Sequence, residues 1–483
     1  MSSRHGDGPG SGRRGEGSGS VKHGATDTST GSSPGGQSWS GERAERHLRS
    51  LELFGMRFGL DRVRRMMTAL DSPQRRFHTV HVVGTNGKTS TTRMAAAILE
   101  RHGLRTGAYL SPHLVAYVER VQVGERDLSG PAFAAAVARA AWAAERVNRT
   151  LAADDHVTQF ELLTAAAFWA LAEEGVEVAV VEAGLGGRYD ATAVVESAVT
   201  VLTTVGLEHT RWLGPTVRDI AAEKLAVLRP GSTLALGADL HLDALALARA
   251  TAAEREARLV QVSAEEVAAA PLAAFQRRNF ALARVAAEAY LAGVGIALDE
   301  GAVRSAARET VVRGRVQVVA QDPLTVLDGA HNPDAARALA ESLREVVKGP
   351  LALVMGVLED KDAASMLATL LPLSTRAWFT APPSSRALSP AALQSLARQL
   401  GFEAAECEPN PRRALELAQA WARARPGAAV LATGSIYLVG DLLAELAERG
   451  AERDGAARKA AGGDRGDATR GGADGDATTG RRA

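Results

Sequence analysis

One run of residues constrains this chain more than any other. The apolar stretch Phe77-His78-Thr79-Val80-His81-Val82-Val83 passes directly into Gly84-Thr85-Asn86-Gly87-Lys88-Thr89-Ser90, then into a helical pattern through Ala95, Ile98 and Leu99 that stops at Gly103. Strand, glycine loop and helix in that order make the repeating unit of a sheet covered by helices. The same alternation of short β-branched runs with Ala/Leu-rich stretches continues downstream. Strands are expected over 176–183 and 198–205, and helices over 165–174, 217–228 and 272–291, with another helix before Thr310. After Arg313-Gly314-Arg315 the alternation begins afresh, with strands expected over 324–328, 351–356, 376–380 and 428–433. The fold class is therefore α/β: a mainly parallel P-loop-type sheet domain over 45–315, then a smaller Rossmann-like domain over 316–449 that lacks a GxGxxG. Residues 1–44 and 450–483 are Gly-, Ser-, Arg- and Asp-rich and are expected to be disordered tails, because they hold too little apolar surface to offset the entropy of ordering.

The glycine loop carries chemistry as well as topology. Cradling a nucleotide phosphate takes small residues that let backbone N–H groups point inward, a lysine for the outer phosphates and a hydroxyl near the metal. Gly84, Gly87, Lys88, Thr89 and Ser90 supply all three, although Val82 stands where the general pattern has its first glycine. A Gly/Thr-rich strand-to-helix turn can be merely structural, yet the strand before it and the helix after the lysine favour ATP or a similar nucleotide. Lysine is rare in this arginine-biased chain, occurring only as Lys22, Lys88, Lys224, Lys348, Lys361 and Lys459. Lysine can lose its proton or be covalently modified where arginine cannot, which singles out Lys88 and Lys224. Lys348, on a polar stretch before Gly349-Pro350, illustrates the ordinary surface lysine.

Composition narrows the partners. The 56 basic and 56 acidic residues cancel, removing the electrostatic footprint of a nucleic-acid or anionic-membrane binder. The single cysteine, Cys407, cannot form an intramolecular disulfide, and there is neither an apolar run of membrane-spanning length nor a signal-like amino terminus. The expected location is the cytoplasm.

Polar residues then gather at strand ends, where open α/β sheets bind ligands. Glu182 closes one apolar run and leads into Ala183-Gly184-Leu185-Gly186-Gly187-Arg188-Tyr189-Asp190, and Glu208-His209 follows the next strand. A carboxylate with one or two neutral donors suits magnesium, although His209 could equally be a cap or hydrogen-bonding residue. In the second unit Asp328-Gly329-Ala330-His331-Asn332-Pro333 and Gly434-Ser435 have the same character, with Asn332 also readable as a helix cap.

From about Glu45 to Ala447 an ordered series of motifs resembles the folylpolyglutamate synthase/dihydrofolate synthase family, a branch of the Mur-ligase-like ATP-dependent amide ligases. The series is Gly84-Thr85-Asn86-Gly87-Lys88, Ser111-Pro112-His113-Leu114, Glu119-Arg120, Glu182 through Thr192, Glu208-His209-Thr210, Glu223-Lys224 and Asp328 through Pro333. The resemblance implies that ATP phosphorylates a carboxylate of dihydropteroate or a folate and that the amine of L-glutamate then displaces phosphate. It implies nucleotide contacts from Thr85, Asn86, Gly87, Lys88, Thr89, Ser90, Asn279, Arg315 and Asp328. It also implies two magnesium sites, with Ser111, Glu182, His209 and a carbamylated Lys224 as ligands, so that Lys88, Lys224 and His209 carry the chemistry; nothing in it bears on potassium. Thr158-Gln159-Phe160-Glu161 resembles a pteridine-holding segment, although Phe160 could simply be core and Glu161 a helix start. Tyr189, Asp190 and Ala191 join that acceptor side, while His331 and Ser435 are assigned to glutamate. A monomer working on small molecules is implied.

Two departures bear on the acceptor. Thr89 stands where folate-type members have glycine, as in cell-wall Mur ligases, and Ala193 replaces a common asparagine. The alternatives are a Mur-type ligase acting on a peptidoglycan precursor, against which stands the short segment ahead of the loop, and a nucleotide-binding protein without ligase chemistry.

Overall fold

The computed structural model describes residues 38–51, 59–272 and 274–463. Of the two expected tails, 1–37 and 464–483 lie outside the described residues. Helix Gly41–Ser50 starts inside the first, because the Ser40 hydroxyl accepts from the Arg43 N–H at 3.2 Å and Ala44 and Leu48 are buried. Helix Ile436–Gly463 runs on past position 450 through a stretch rich in Ala, Glu, Arg and Lys, good helix formers that outnumber Asp454 and the glycines at 455, 462 and 463.

The first sheet has eight strands: β1 (His78–Val83), β2 (Thr106–Tyr109), β3 (Val121–Val123), β4 (Arg126–Asp127), β5 (Val178–Glu182), β6 (Ser197–Leu202), β7 (Thr233–Leu236) and β8 (Arg258–Gln261). Their order is β4-β3-β2-β5-β1-β6-β7-β8, parallel from β2 to β8, with β3 and β4 added antiparallel at one edge. Every residue of β5 is buried, as helices covering both faces of a parallel sheet require. On one face Ile98 and Leu99 of helix Lys88–Arg101 share a core with Phe280 and Leu291 of helix Ala274–Gly293. On the other, Phe133 and Val137 of helix Gly130–Asn148 pack with Leu163 and Phe168 of helix Gln159–Glu173.

The second sheet has six strands: β9 (Gln317–Gln321), β10 (Leu324–Leu327), β11 (Leu351–Met355), β12 (Arg376–Phe379), β13 (Ala405–Cys407) and β14 (Ala429–Thr433), ordered β13-β12-β11-β14-β10-β9. Only β9 is antiparallel to its neighbour. The link between the two sheets passes through Gly314 (φ 63°) and Val316 (φ 45°), the latter a conformation that β-branched residues rarely adopt. Among the described residues no helix is long and apolar enough to cross a membrane.

The strands that sequence pattern missed are β2, with a glycine at its second position, β7, β8, the three-residue β13 and the antiparallel edges. Helix Gln159–Glu173 also begins six residues ahead of the expected 165, because Thr158 and Glu161 form a reciprocal capping box.

Candidate active site

Four adjacent strands deliver their carboxyl ends to one edge of the first sheet. Ser111 follows β2, Glu182 ends β5, the glycine turn follows β1, and Thr203 to His209 follow β6. Chain crossover places β1 between β5 and β6, which opens the crevice where such sheets take ligands. The turn itself is braced by its neighbour: Thr85 N–H donates to Thr204 O at 2.8 Å, and Asn86 N–H to the Thr204 hydroxyl at 3.0 Å. Gly87 is left-handed (φ 85°) with Asn279 Oδ1 lying where a Cβ would project, so only glycine fits there. Helix Lys88–Arg101 has no side-chain cap, leaving its first-turn N–H groups for a ligand. Lys88 curls back over the turn, Nζ donating to Thr85 O at 3.2 Å, and the Ser90 hydroxyl is buried without a partner.

Glu182 sits behind this turn. It accepts from the Thr89 hydroxyl at 2.9 Å and from the Ser111 N–H at 3.1 Å. Burial outweighs the Lys88 charge and raises its carboxyl to about 7. Lys224, also buried, donates from Nζ to Gly84 O at 2.8 Å, and burial with the Lys88 charge lowers it to about 7. His209 is left-handed (φ 53°) and heads the short helix Thr210–Leu213, its ring lowered mainly by burial. Among the described residues no three His, Cys, Asp or Glu side chains gather into a ready-made metal site. The donor set instead suits a magnesium that keeps phosphate oxygens and water, for which a single carboxylate and a few neutral donors suffice.

Ser111 and Phe160 line the same crevice. Phe160 is half-buried, near-parallel to Tyr109 with ring centroids 6.3 Å apart, and its ring lies directly under Gly184. Glu161, in contrast, is committed. It accepts from Arg62 Nε at 3.0 Å and from the Thr158 N–H at 2.8 Å, and Arg62 also reaches Asp155 at 3.1 Å. Gln159 is buried too, its amide donating to Leu48 O at 2.7 Å. Asp190 is buried and its carboxyl raised by burial, while it accepts from Leu185 N–H at 2.8 Å and Thr192 N–H at 3.0 Å. Ala191 is buried in the turn that follows, and Tyr189 is exposed.

The second sheet turns its own carboxyl ends toward this edge. Asn332 caps helix Pro333–Val346 and exchanges two amide bonds with Asn86, at 2.9 and 3.2 Å. Lys361, in the loop after β11, donates to Glu208 Oε1 at 2.9 Å, and the His331 ring stands 3.5 Å from the same oxygen. Burial would raise Glu208, but His331 and Lys361 hold its carboxyl far below the ordinary range. Asp328 is turned inward, accepting from Val316 N–H and Ala330 N–H, each at 2.8 Å, and so fixing the linker. Arg315 lies against Gly329, and Ser435 is buried, its hydroxyl accepting from Tyr437 N–H at 3.2 Å.

A cleft of about 1600 Å³ runs through this region. Thr85, Asn86, Ser111, Thr158 to Glu161, Tyr189 to Ala191, His209 and Asn279 line it directly. Gly87, Lys88, Thr89, Ser90, Glu182, Lys224, Arg315, Asp328, His331 and Ser435 do not line it directly. Sequence reasoning passed over Arg62 and Lys361; the rarity of lysine was the available signal for Lys361, whereas nothing local marks Arg62, whose partner is 99 residues away.

Known proteins match the same two halves. Residues 82–288 match the Mur ligase middle domain and residues 314–436 the Mur ligase glutamate ligase domain. A probable bifunctional folylpolyglutamate synthase/dihydropteroate synthase of Haloferax volcanii is 35% identical over 419 residues, covering 81% of this chain and 49% of that protein, so the chain spans about half that relative's length. The dihydrofolate synthase/folylpolyglutamate synthase of Escherichia coli is 31% identical over 425 residues, covering 84% of this chain and 94% of that protein. Among solved structures, Mycobacterium tuberculosis folylpolyglutamate synthase complexed with ADP aligns with a TM-score of 0.78 at 29% identity, covering 84% of this chain and 98% of that one.

Proposed function

Because the chain belongs to the folylpolyglutamate synthase/dihydrofolate synthase family of Mur-type ligases, we propose that it is an ATP-dependent ligase joining L-glutamate to the carboxylate of dihydropteroate, of a reduced folate, or of both. The observation that carries this reading is the shared cleft: Thr85 and Asn86 of the phosphate turn, Ser111, His209, Phe160 and Asn332 at the end of the second sheet line it, with Lys88, Glu182 and Lys224 hydrogen-bonded to Thr85, Ser111 and Gly84 behind its wall. The acceptor carboxylate attacks the terminal phosphorus of ATP, giving an acyl phosphate and ADP. The amine of glutamate then attacks the acyl carbon, and collapse of the tetrahedral adduct releases phosphate and leaves an amide.

Each residue has a task in that sequence. The loop amides from Thr85 to Ser90 and the Lys88 ammonium hold the outer phosphates, since phosphoryl transfer depends mainly on positioning and on cations around the developing charge. Asn279, Arg315 and Asp328 fix the nucleotide from the linker side, the last by shaping backbone. Ser111, Glu182 and His209 would hold a magnesium ion, which would supply charge neutralisation for phosphoryl transfer. Lys224, its amine lowered to about 7, has the neutral fraction that carbon dioxide requires, and the resulting carbamate would serve a second metal. Phe160 offers a flat platform to a pteridine, with Thr158, Gln159, Glu161, Tyr189, Asp190 and Ala191 shaping its surroundings, while His331 and Ser435 face the incoming glutamate. The balanced charge and the lack of a spanning helix among the described residues favour the cytoplasm, and the family resemblance favours a monomer acting on small molecules.

The test is ADP release by the purified chain with dihydropteroate or tetrahydrofolate as acceptor. Turnover is expected only when acceptor and glutamate are both present, with a glutamylated product detected by mass. Slow ATP hydrolysis indifferent to glutamate would remove the ligase reading, and the preferred acceptor distinguishes first-glutamate addition from chain extension.

A further inference from the structure

Two arginines are buried in the walls of the cleft, and they are treated differently by the fold. Arg62 is compensated within the protein by Glu161 and Asp155. Arg120, the last residue of the 3₁₀ turn Tyr117–Arg120, is 8% exposed, and among the described residues no carboxylate forms an ion pair with it. The carboxylates that could have served are all engaged elsewhere. Glu119 accepts from the N–H groups of Leu114, Val115 and Ala116 at 3.0 to 3.1 Å. Asp190 is taken by Leu185 and Thr192, and Glu161 by Arg62.

The groups that do meet Arg120 are neutral. Its Nε donates to His113 Nδ1 at 3.0 Å, its guanidinium stands 5.8 Å from the Tyr117 ring centroid, and the Tyr109 hydroxyl also hydrogen-bonds to it. Guanidinium does not lose its proton, and burying a charge without a counter-charge is costly, so a fold retains one where a ligand brings the opposite sign. The position is built rather than incidental. Leu110 N–H donates to Arg120 O at 2.8 Å, which seats Arg120 beside Ser111. From Ser111 two hydrogen bonds lead through Glu182 to Thr89 of the phosphate turn.

We propose that Arg120 binds the carboxylate of the acceptor, the group to be phosphorylated, through the free face of its guanidinium fork. This rests on the ligase reading above and adds to it the residue that turns the acceptor's acidic end toward the nucleotide. A planar fork matches a carboxylate in two parallel hydrogen bonds, whereas a lysine would offer only a point charge. Phe160 on the same wall holds the aromatic part, so ring and acid are recognised at separate places.

The experiment pairs a change in the protein with a change in the ligand. Affinities for dihydropteroate and for its analogue with hydrogen in place of the carboxylate are measured on the parent, Arg120→Gln and Arg120→Lys, together with ADP affinity and the thermal midpoint of the ligand-free protein. The parent is expected to prefer the carboxylate ligand by about 30-fold, the scale of a charged hydrogen-bonded pair. Arg120→Gln should reduce that preference to less than about threefold, leave ADP affinity within about twofold, and keep or raise the midpoint, because an uncompensated buried charge has been removed. Arg120→Lys should retain part of the preference, and it decides the question by the same ratio if Arg120→Gln does not fold. An unchanged preference, or equal losses for both ligands with a lowered midpoint, overturns the proposal. If the parent turns over dihydropteroate or tetrahydrofolate with glutamate yet shows no coupling to Arg120, only this inference fails; if it turns over neither, the ligase reading fails and takes it along.

Discussion

Lys88 and Lys224 both hydrogen-bond to the glycine turn, at Thr85 O and Gly84 O, but the proposed chemistry asks different things of them. Lys88 must stay charged. Lys88→Ala should abolish ligation in the ADP-release assay while circular dichroism and the unfolding midpoint remain near the parent's, and parent-like turnover would refute the phosphate-turn assignment. On the same proposal Lys224 becomes neutral and reacts with carbon dioxide. Lys224→Arg keeps the positive charge and forbids the carbamate, so we expect a loss of at least about 100-fold in kcat, the scale seen when an electrostatic stabiliser is removed. A carbamate signal in ¹³C NMR with labelled bicarbonate should appear in the parent and vanish in the variant; its absence from an active parent would dispose of the modified lysine.

The element that joins nucleotide to acceptor is the segment after β5, where Gly184 lies on the Phe160 ring. Adding one methyl group there pushes on the ring while leaving the phosphate turn alone. Gly184→Ala is expected to raise the acceptor KM by about tenfold with the ATP KM unchanged, the scale of a mild overpacking; a change in ATP KM of the same size would mean that the segment is not confined to the acceptor side. This element also shows what a sequence can convey. The run ending at Glu182 reads as a buried strand because all five residues are apolar or terminal, and the alternation before and after Gly84 reads as a helix-covered sheet for the same reason. Strands β7 and β8 escape notice since four residues carry too little periodicity to stand out from the flanking helices. Glu161 is visible as a helix start or as a ligand-facing acid, but its engagement with Arg62 depends on a fold that brings together residues 99 apart, and no local pattern records that.

At the scale of the whole molecule, buried histidines set the acid limit. His81, in the middle of β1, is 1% exposed, hydrogen-bonds to the Thr192 hydroxyl at 2.9 Å, and is lowered to about 3 by burial and by Arg229. The unfolded chain takes up that proton near pH 6.5 while the folded one refuses it until about 3, so stability present above 6.5 is lost on acidification through that window. Urea titrations from pH 7 to pH 4 should show His81→Asn with a shallower loss than the parent, by about 1.4 kcal/mol per pH unit. Equal slopes would mean that His81 is not kept neutral by the fold.

The paired amides of Asn86 and Asn332 tie the phosphate turn to the cap of a helix in the other half of the molecule. Two neutral hydrogen bonds together are worth about 1–3 kcal/mol net, which makes this joint a latch and not a weld. Its grip, being uncharged, is indifferent to salt, unlike that of the Lys361–Glu208 pair.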